Sequence, residues 1–194
     1  METIRGFIAV DIGDTVRERL DALQRKLKKV HADVRWTKPG TMHLTLAFLG
    51  DLPLEKIPLL QTALEEALQD QEPFELEITG TGYFGRRKHP RVIWAGIADC
   101  PPLMELRRKT VEALHSAEVE FDSSKPFSPH LTLGRVKKLD HHTESLLDRV
   151  ERYEQEPLGQ AHIDVVELIQ STLKPGGPEY TVLHRIRFPR PGIL

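Results

Sequence analysis

The tetrapeptide His-Leu-Thr-Leu occurs twice in this 194-residue chain, at 43–46 and at 130–133, a spacing of 130 − 43 = 87 residues. In an extended strand, successive side chains point to opposite faces. Each copy therefore sends its histidine and threonine one way and its two leucines the other. Such a strand has one face that must be buried and one that presents an imidazole beside a hydroxyl. The repeat is too short to be a solenoid period. On ordinary composition one HxTL is expected in roughly a few per cent of chains this long, and two in on the order of one in a thousand. That rarity favours two halves of one site over two strand histidines that each bond only to a neighbour.

The segments around the motifs suggest the architecture. "IRGFIAVDI" (4–12) reads as a buried strand, followed by a helix that Asp14 can cap, with Val16, Leu20, Leu23, Leu27 and Val30 on one stripe. "DVRW" is a short strand, "KPG" a turn and "HLTLAFLG" a strand ending at Gly50. A helix then carries Pro58 in its first turn and Leu60, Leu64 and Leu68 on its inner face. "FELEITGTGYFG" and "RVIWAGIA" are strands. A proline-started helix places Leu103, Leu106, Thr110 and Leu114 inward, and "PHLTLGRV" is the next strand. Asp140 can cap a short helix, and "AHIDVVELIQST" and "YTVLHRIRF" are two closing strands around a "KPGGPE" turn. The order β-α-β-β-α-β-β-α-β-α-β-β breaks strict βαβ alternation. It predicts an α+β fold with largely antiparallel sheets and helices outside. The unit β-α-β-(β)-α comes twice, each time with one HLTL strand. Two pseudo-symmetric lobes with a cleft between them are expected. No Pro/Gly/Ser-rich linker divides them, so residues 1–194 are expected to form a single two-lobed domain.

Composition narrows the function classes. Hydrophobic residues are 39% and charged residues 29%, and the formal net charge is −2. A protein gripping nucleic acid along a broad phosphate track is usually strongly basic, and this chain is not. No apolar run approaches the roughly 20 residues that cross a membrane. "METIRGFIAVDIGD" lacks a signal peptide's apolar core. The single cysteine, Cys100, permits no intrachain disulfide and reads as a packing residue. These features suggest a reducing, cytoplasmic location. Basic residues cluster at 107–109 and at Lys137 and Lys138, which read as solvated faces. In "GRRKHPR" (85–91), Arg86, Arg87, Lys88 and Arg91 lie in a loop between two strands. They form either a solvated hairpin or an RNA-binding surface.

Two imidazoles and two hydroxyls suit an in-line displacement at phosphorus. One imidazole accepts a proton from the attacking oxygen, and the other, protonated, gives one to the leaving oxygen. A histidine pKa near ~6.5 makes both states accessible at neutral pH. The threonine hydroxyls can bond the non-bridging oxygens as charge builds there. No metal is required for this scheme, and no HExxH or CxxC is present. "DHHTE" (140–144) could be imagined as a ligand cluster, but it sits at a helix start where acidic residues serve as caps. A P-loop and a Gly-x-Ser-x-Gly elbow are both absent.

The paired motifs with their flanks, "RGFIAVDI", "VRWTKPGTMHLTLAFLGDL", "YFGRRKHPRVIWAGI", "KPFSPHLTLGRV" and "STLKPGGPEYTVL", resemble the two-histidine phosphoesterase superfamily. Within it they are most similar to the bacterial and archaeal RNA 2′,3′-cyclic phosphodiesterases, also called 2′-5′ RNA ligases. The resemblance implies that His43 is the proton donor to the leaving ribose 3′ oxygen and His130 the proton acceptor that activates water. It implies that Thr45, Thr132 and Arg135 hold the phosphate. Strict alternation puts Arg135 on the face opposite His130 and Thr132, so it reaches the site only if the strand ends or bulges near Gly134. The implied reaction is metal- and cofactor-independent hydrolysis of an RNA 2′,3′-cyclic phosphate end to a 2′-phosphomonoester. The implied partner is an RNA or oligonucleotide with that end, bound by a monomer. Three alternatives stay open at this stage: 2′-5′ ligation in the reverse direction, a small cyclic or 2′-5′ linked nucleotide as substrate, and RNA or nucleotide binding without turnover.

Overall fold

The apolar periodicity is realised as nine strands and four α-helices among residues 2–189, which the computed structural model describes. In chain order they are β1 (Thr3–Val10), α1 (Gly13–Lys28), β2 (Val34–Trp36), β3 (Leu44–Pro53), α2 (Ile57–Ala67), β4 (Phe74–Arg86), β5 (His89–Ile97), α3 (Pro101–Ser116), β6 (His130–Val136), α4 (Thr143–Glu151), β7 (Pro157–Ile163), β8 (Val165–Lys174) and β9 (Gly177–Arg187). Two antiparallel sheets form, in the orders β3-β1-β8-β9 and β2-β6-β5-β4-β7. Each sheet carries one HLTL strand paired with the strand that precedes its helix, β1 with β3 and β5 with β6. The α+β architecture with two related sheets is the one the sequence predicts.

The leucines of both motifs, Leu44, Leu46, Leu131 and Leu133, are fully buried in one apolar cluster shared by the two sheets. The α1 stripe Val16, Leu20, Leu23 and Leu27 joins the same cluster. Phe7, Ala9 and Ile169 form a second, smaller cluster on the other face of the first sheet, with Tyr180 and Val182 against it. No helix among the described residues is long and apolar enough to cross a membrane.

Three local expectations are corrected, and a fourth, the "KPG" turn, is met. "AHIDVVELIQST" is two strands: β7 pairs with β4 in one sheet, and after Asp164 β8 pairs with β1 in the other. The sequence does not mark that break, because Ala161-His162-Ile163-Asp164-Val165 alternates like one continuous strand; in the structure Val166 and not Val165 is the buried residue. Asp14 does not cap α1. Its carboxylate pairs with Arg17, while Asp11 accepts the backbone N–H of Gly13 at 3.2 Å. "GRRKHPR" is a tight hairpin rather than a loop, with β4 running through Arg86 and β5 starting at His89. "KPG" opens a short 3₁₀ turn, Pro39–Thr41.

Bulges decide which side chains reach the polar faces. In the β1–β3 ladder the register shifts twice, leaving Leu46 and Leu49 as extra residues of β3. Both turn inward, and Thr45 and Phe48 stay on the face of Ala9 and Phe7. In the β5–β6 ladder, Trp94 pairs with Thr132 and Ile93 with Gly134, so Leu133 is extra. Parity therefore flips at Leu133, and Arg135, opposite Val92, shares the face of Thr132 and His130. The side-chain amide of Gln24 on α1 holds this place. It is fully buried and donates to the carbonyls of Leu133 at 2.7 Å and Thr37 at 2.8 Å.

Candidate active site

His43 stands between the 3₁₀ turn and β3. Its ring stacks on Phe7, with centroids 4.7 Å apart and planes 18° apart, and meets the edge of Tyr180 at 5.2 Å. His130 opens β6. Its Nδ1 donates to the carbonyl of Ser128 at 2.8 Å, and Phe84 packs edge-on against it at 4.8 Å. Each histidine is thus braced by a phenylalanine from a strand of its own sheet. For His130, Nδ1–H fixes the neutral tautomer and leaves the lone pair on Nε2.

Burial holds the His43 imidazole down to about 4. The nearby Arg17 guanidinium works in the same direction, and the Thr41 carbonyl and Asp11 work against it. His130 is also lowered, first by burial and then by the charge of Arg135, with the Ser128 carbonyl opposing. Both imidazoles are therefore neutral at pH 7 in the free protein. Arg17 pairs with Asp11 and reaches the carbonyl of Met42 at 3.4 Å, bracing the segment that carries His43.

The two motifs come together. Strands β3 and β6 are in direct contact although they belong to different sheets. Tyr180, on the β8–β9 hairpin of the first sheet, touches His43 and feels the charge of Arg135 from the second sheet, which also acts on His130. Tyr180 thus adjoins His43, and one charge, that of Arg135, acts on both Tyr180 and His130. Thr45 and Thr132 lie half-buried on the same faces as their histidines' phenylalanine and tryptophan neighbours. Trp94 lies flat over β4, where a side chain at Gly82 would overlap its ring. Its indole contacts Phe84 at 5.6 Å, completing an aromatic wall beside His130. Tyr180, Phe7, Phe84 and Trp94 are additions to the residues the sequence singled out. The alternation that exposes the histidines also carries these aromatics, but only the sheet order shows that they border one space.

The basic hairpin divides. Arg87 is turned onto α4, donating to Glu151 at 2.6 Å and pairing with Asp148 and, at 3.8 Å, with Glu144. Three carboxylates of the same chain therefore surround the Arg87 guanidinium, and Tyr83 joins through Glu151. Arg86, Lys88 and Arg91 remain exposed. At the "DHHTE" helix start, Asp140 accepts the N–H groups of His142 and Asp33 and the Thr143 hydroxyl. Among the described residues, no three His, Cys, Asp or Glu side chains gather as a metal site.

The family model for LigT-like phosphoesterases matches the sequence twice, over residues 10–94 and 98–180, one motif in each half. The chain belongs to the LigT-like phosphoesterase family. A relative from Methanothermobacter thermautotrophicus named RNA 2′,3′-cyclic phosphodiesterase is 30% identical over 95% of this chain and 98% of its own. A crystal structure of a Thermus thermophilus protein superposes with a TM-score of 0.79 at 30% identity, covering 95% of this chain and 98% of that one. The structure of E. coli LigT complexed with 3′-AMP superposes at 0.75 with 26% identity, over 96% and 99% of the two chains. Within this LigT-like phosphoesterase, the cleft between the two HLTL strands is the candidate site.

Proposed function

We propose that the chain hydrolyses RNA 2′,3′-cyclic phosphate ends to 2′-phosphomonoesters, leaving a free 3′ hydroxyl. The observation that carries this reading is the pair of imidazoles, one at the start of each HLTL strand, each packed against a phenylalanine, on two strands that lie against each other. The names of the curated relatives support the same substrate class. His130 Nε2 takes a proton from water as its oxygen bonds to phosphorus. The bond from phosphorus to O3′ breaks, and His43 gives its proton to O3′. Thr45, Thr132 and Arg135 bond the non-bridging oxygens, where charge increases in the transition state. Burial keeps His43 neutral until substrate arrives. The phosphate anion then supplies the countercharge for the imidazolium, so binding brings a proton with it.

No metal takes part in this scheme. The enzyme is read as a cytoplasmic monomer, and Arg86, Lys88 and Arg91 as contacts for longer RNA. The test is product analysis on an oligoribonucleotide ending in a 2′,3′-cyclic phosphate, with and without EDTA. A 2′-phosphomonoester is expected in both, and His43→Ala and His130→Ala each lower turnover by roughly 10²-fold or more. A 3′-phosphomonoester, or activity lost to EDTA and restored by one divalent ion, would overturn the scheme.

A further inference from the structure

We propose that Arg35, directly opposite Arg135 of the catalytic phosphate site, forms a second anion subsite beside it. It would hold the phosphodiester that joins the terminal nucleoside of the RNA to the nucleotide before it. The proposal rests on the RNA-end reading above and assigns the enzyme a preference for oligonucleotide ends over mononucleotides.

Arg35 is the middle residue of β2 and lies directly opposite Arg135 in the β2–β6 ladder. Directly paired residues of an antiparallel ladder share a face. The bulge at Leu133 puts Arg135 on the face of Thr132 and His130, and Arg35 goes with it. Its neighbours confirm the direction: Val34 and Trp36 pack against the core, where a side chain at Gly134 would run into them. Arg35 points away from that core, into the cleft side.

Two like charges directly opposite each other destabilise a strand pair. Arg17, Arg25, Arg87, Arg108, Arg185 and Arg187 are all offset by carboxylates. Among the described residues Arg35 and Arg135 make no such pair, and both are exposed. A local conflict of this kind is expected where a ligand resolves it. Arg135 acts on both His130 and Tyr180, so it belongs to the catalytic end. Arg35 lies one strand further out, about 4.8 Å away across the ladder, on the edge strand of its sheet. A guanidinium fork grips a phosphate through two hydrogen bonds, and two forks at this separation can serve neighbouring phosphates of one strand. The edge position leaves the rest of the RNA free to run into solvent.

The experiment compares three substrates: adenosine 2′,3′-cyclic phosphate, the dinucleotide ApA ending in a 2′,3′-cyclic phosphate, and that dinucleotide with a neutral methylphosphonate linkage. In wild type, kcat/KM should fall roughly 10-fold when the linkage loses its charge, mainly through KM. Arg35→Gln should cause a similar fall on the normal dinucleotide. It should add little on the methylphosphonate, and far less on the mononucleotide. The salt dependence of dinucleotide KM should flatten by about 0.7 in its log–log slope. Equal wild-type kinetics on charged and neutral linkages would overturn the subsite, and this arm needs no variant to fold. Equal losses for Arg35→Gln on all three substrates would overturn it as well, by placing Arg35 at the cyclic phosphate or in the fold alone. If wild type turned over none of the three, the RNA-end reading itself would fail, a result distinct from either.

Discussion

A histidine made neutral by burial leaves a trace in stability as well as in chemistry. His43 has a folded-state pKa of about 4 and an ordinary unfolded value near ~6.5. Above pH ~6.5 it is neutral in both states and has no effect. As pH falls toward 4, the unfolded chain takes up a proton that the folded one refuses, and stability is lost. Between pH 7 and pH 5 this one group should cost about 2 kcal/mol. His130 adds to the loss in the same direction. Urea denaturation at the two pH values should show the drop, and His43→Gln should remove much of it. A variant with an undiminished drop would mean that other groups carry the acid sensitivity.

At the scale of elements, the bulge at Leu133 matters more than any single substitution in the motif. Strict alternation in "HLTLGRV" turns Arg135 away from His130, and the extra residue turns it back. Gly134 hints at an irregularity but does not say on which side of it parity flips. The answer lies in α1, whose Gln24 donates to the carbonyls of Leu133 and Thr37. Gln24→Leu keeps the apolar packing volume and removes both donors. It should cost about 2 kcal/mol, because one buried carbonyl loses its partner and another loses one of two. It should also raise KM by releasing Arg135. Chemical denaturation reads the first effect and steady-state kinetics the second. Unchanged stability would show that the bulge holds itself. The Arg87 cluster belongs to this scale too. A run of positive charge in sequence gave no sign that α4, some sixty residues later, presents Asp148 and Glu151 to it.

For the whole molecule, the proposed catalytic set depends on two sheets meeting. His43, Thr45 and Tyr180 come from one and His130, Thr132 and Arg135 from the other. An anion held by both should stabilise the folded chain by linkage, by about 2.7 kcal/mol at 100 times its dissociation constant. Binding should also carry a proton to His43, so the thermal shift given by sulfate should be larger at pH 6 than at pH 8. Sulfate suits this test because its own charge does not change across that range. Equal shifts at both values would remove the proton uptake from the scheme. The sequence alone determined the four helices, all the strands but for one break, the buried leucine faces, and the two histidine–threonine pairs, because local periodicity and an exact repeat carry that information. The tertiary structure decided the rest. It split "AHIDVVELIQST" between two sheets, brought Tyr180 against His43, turned Arg135 and with it Arg35 to the face of His130, and drew Arg87 to α4. Each of these depends on which strands are neighbours, and strand pairing is set by packing between residues far apart in the chain.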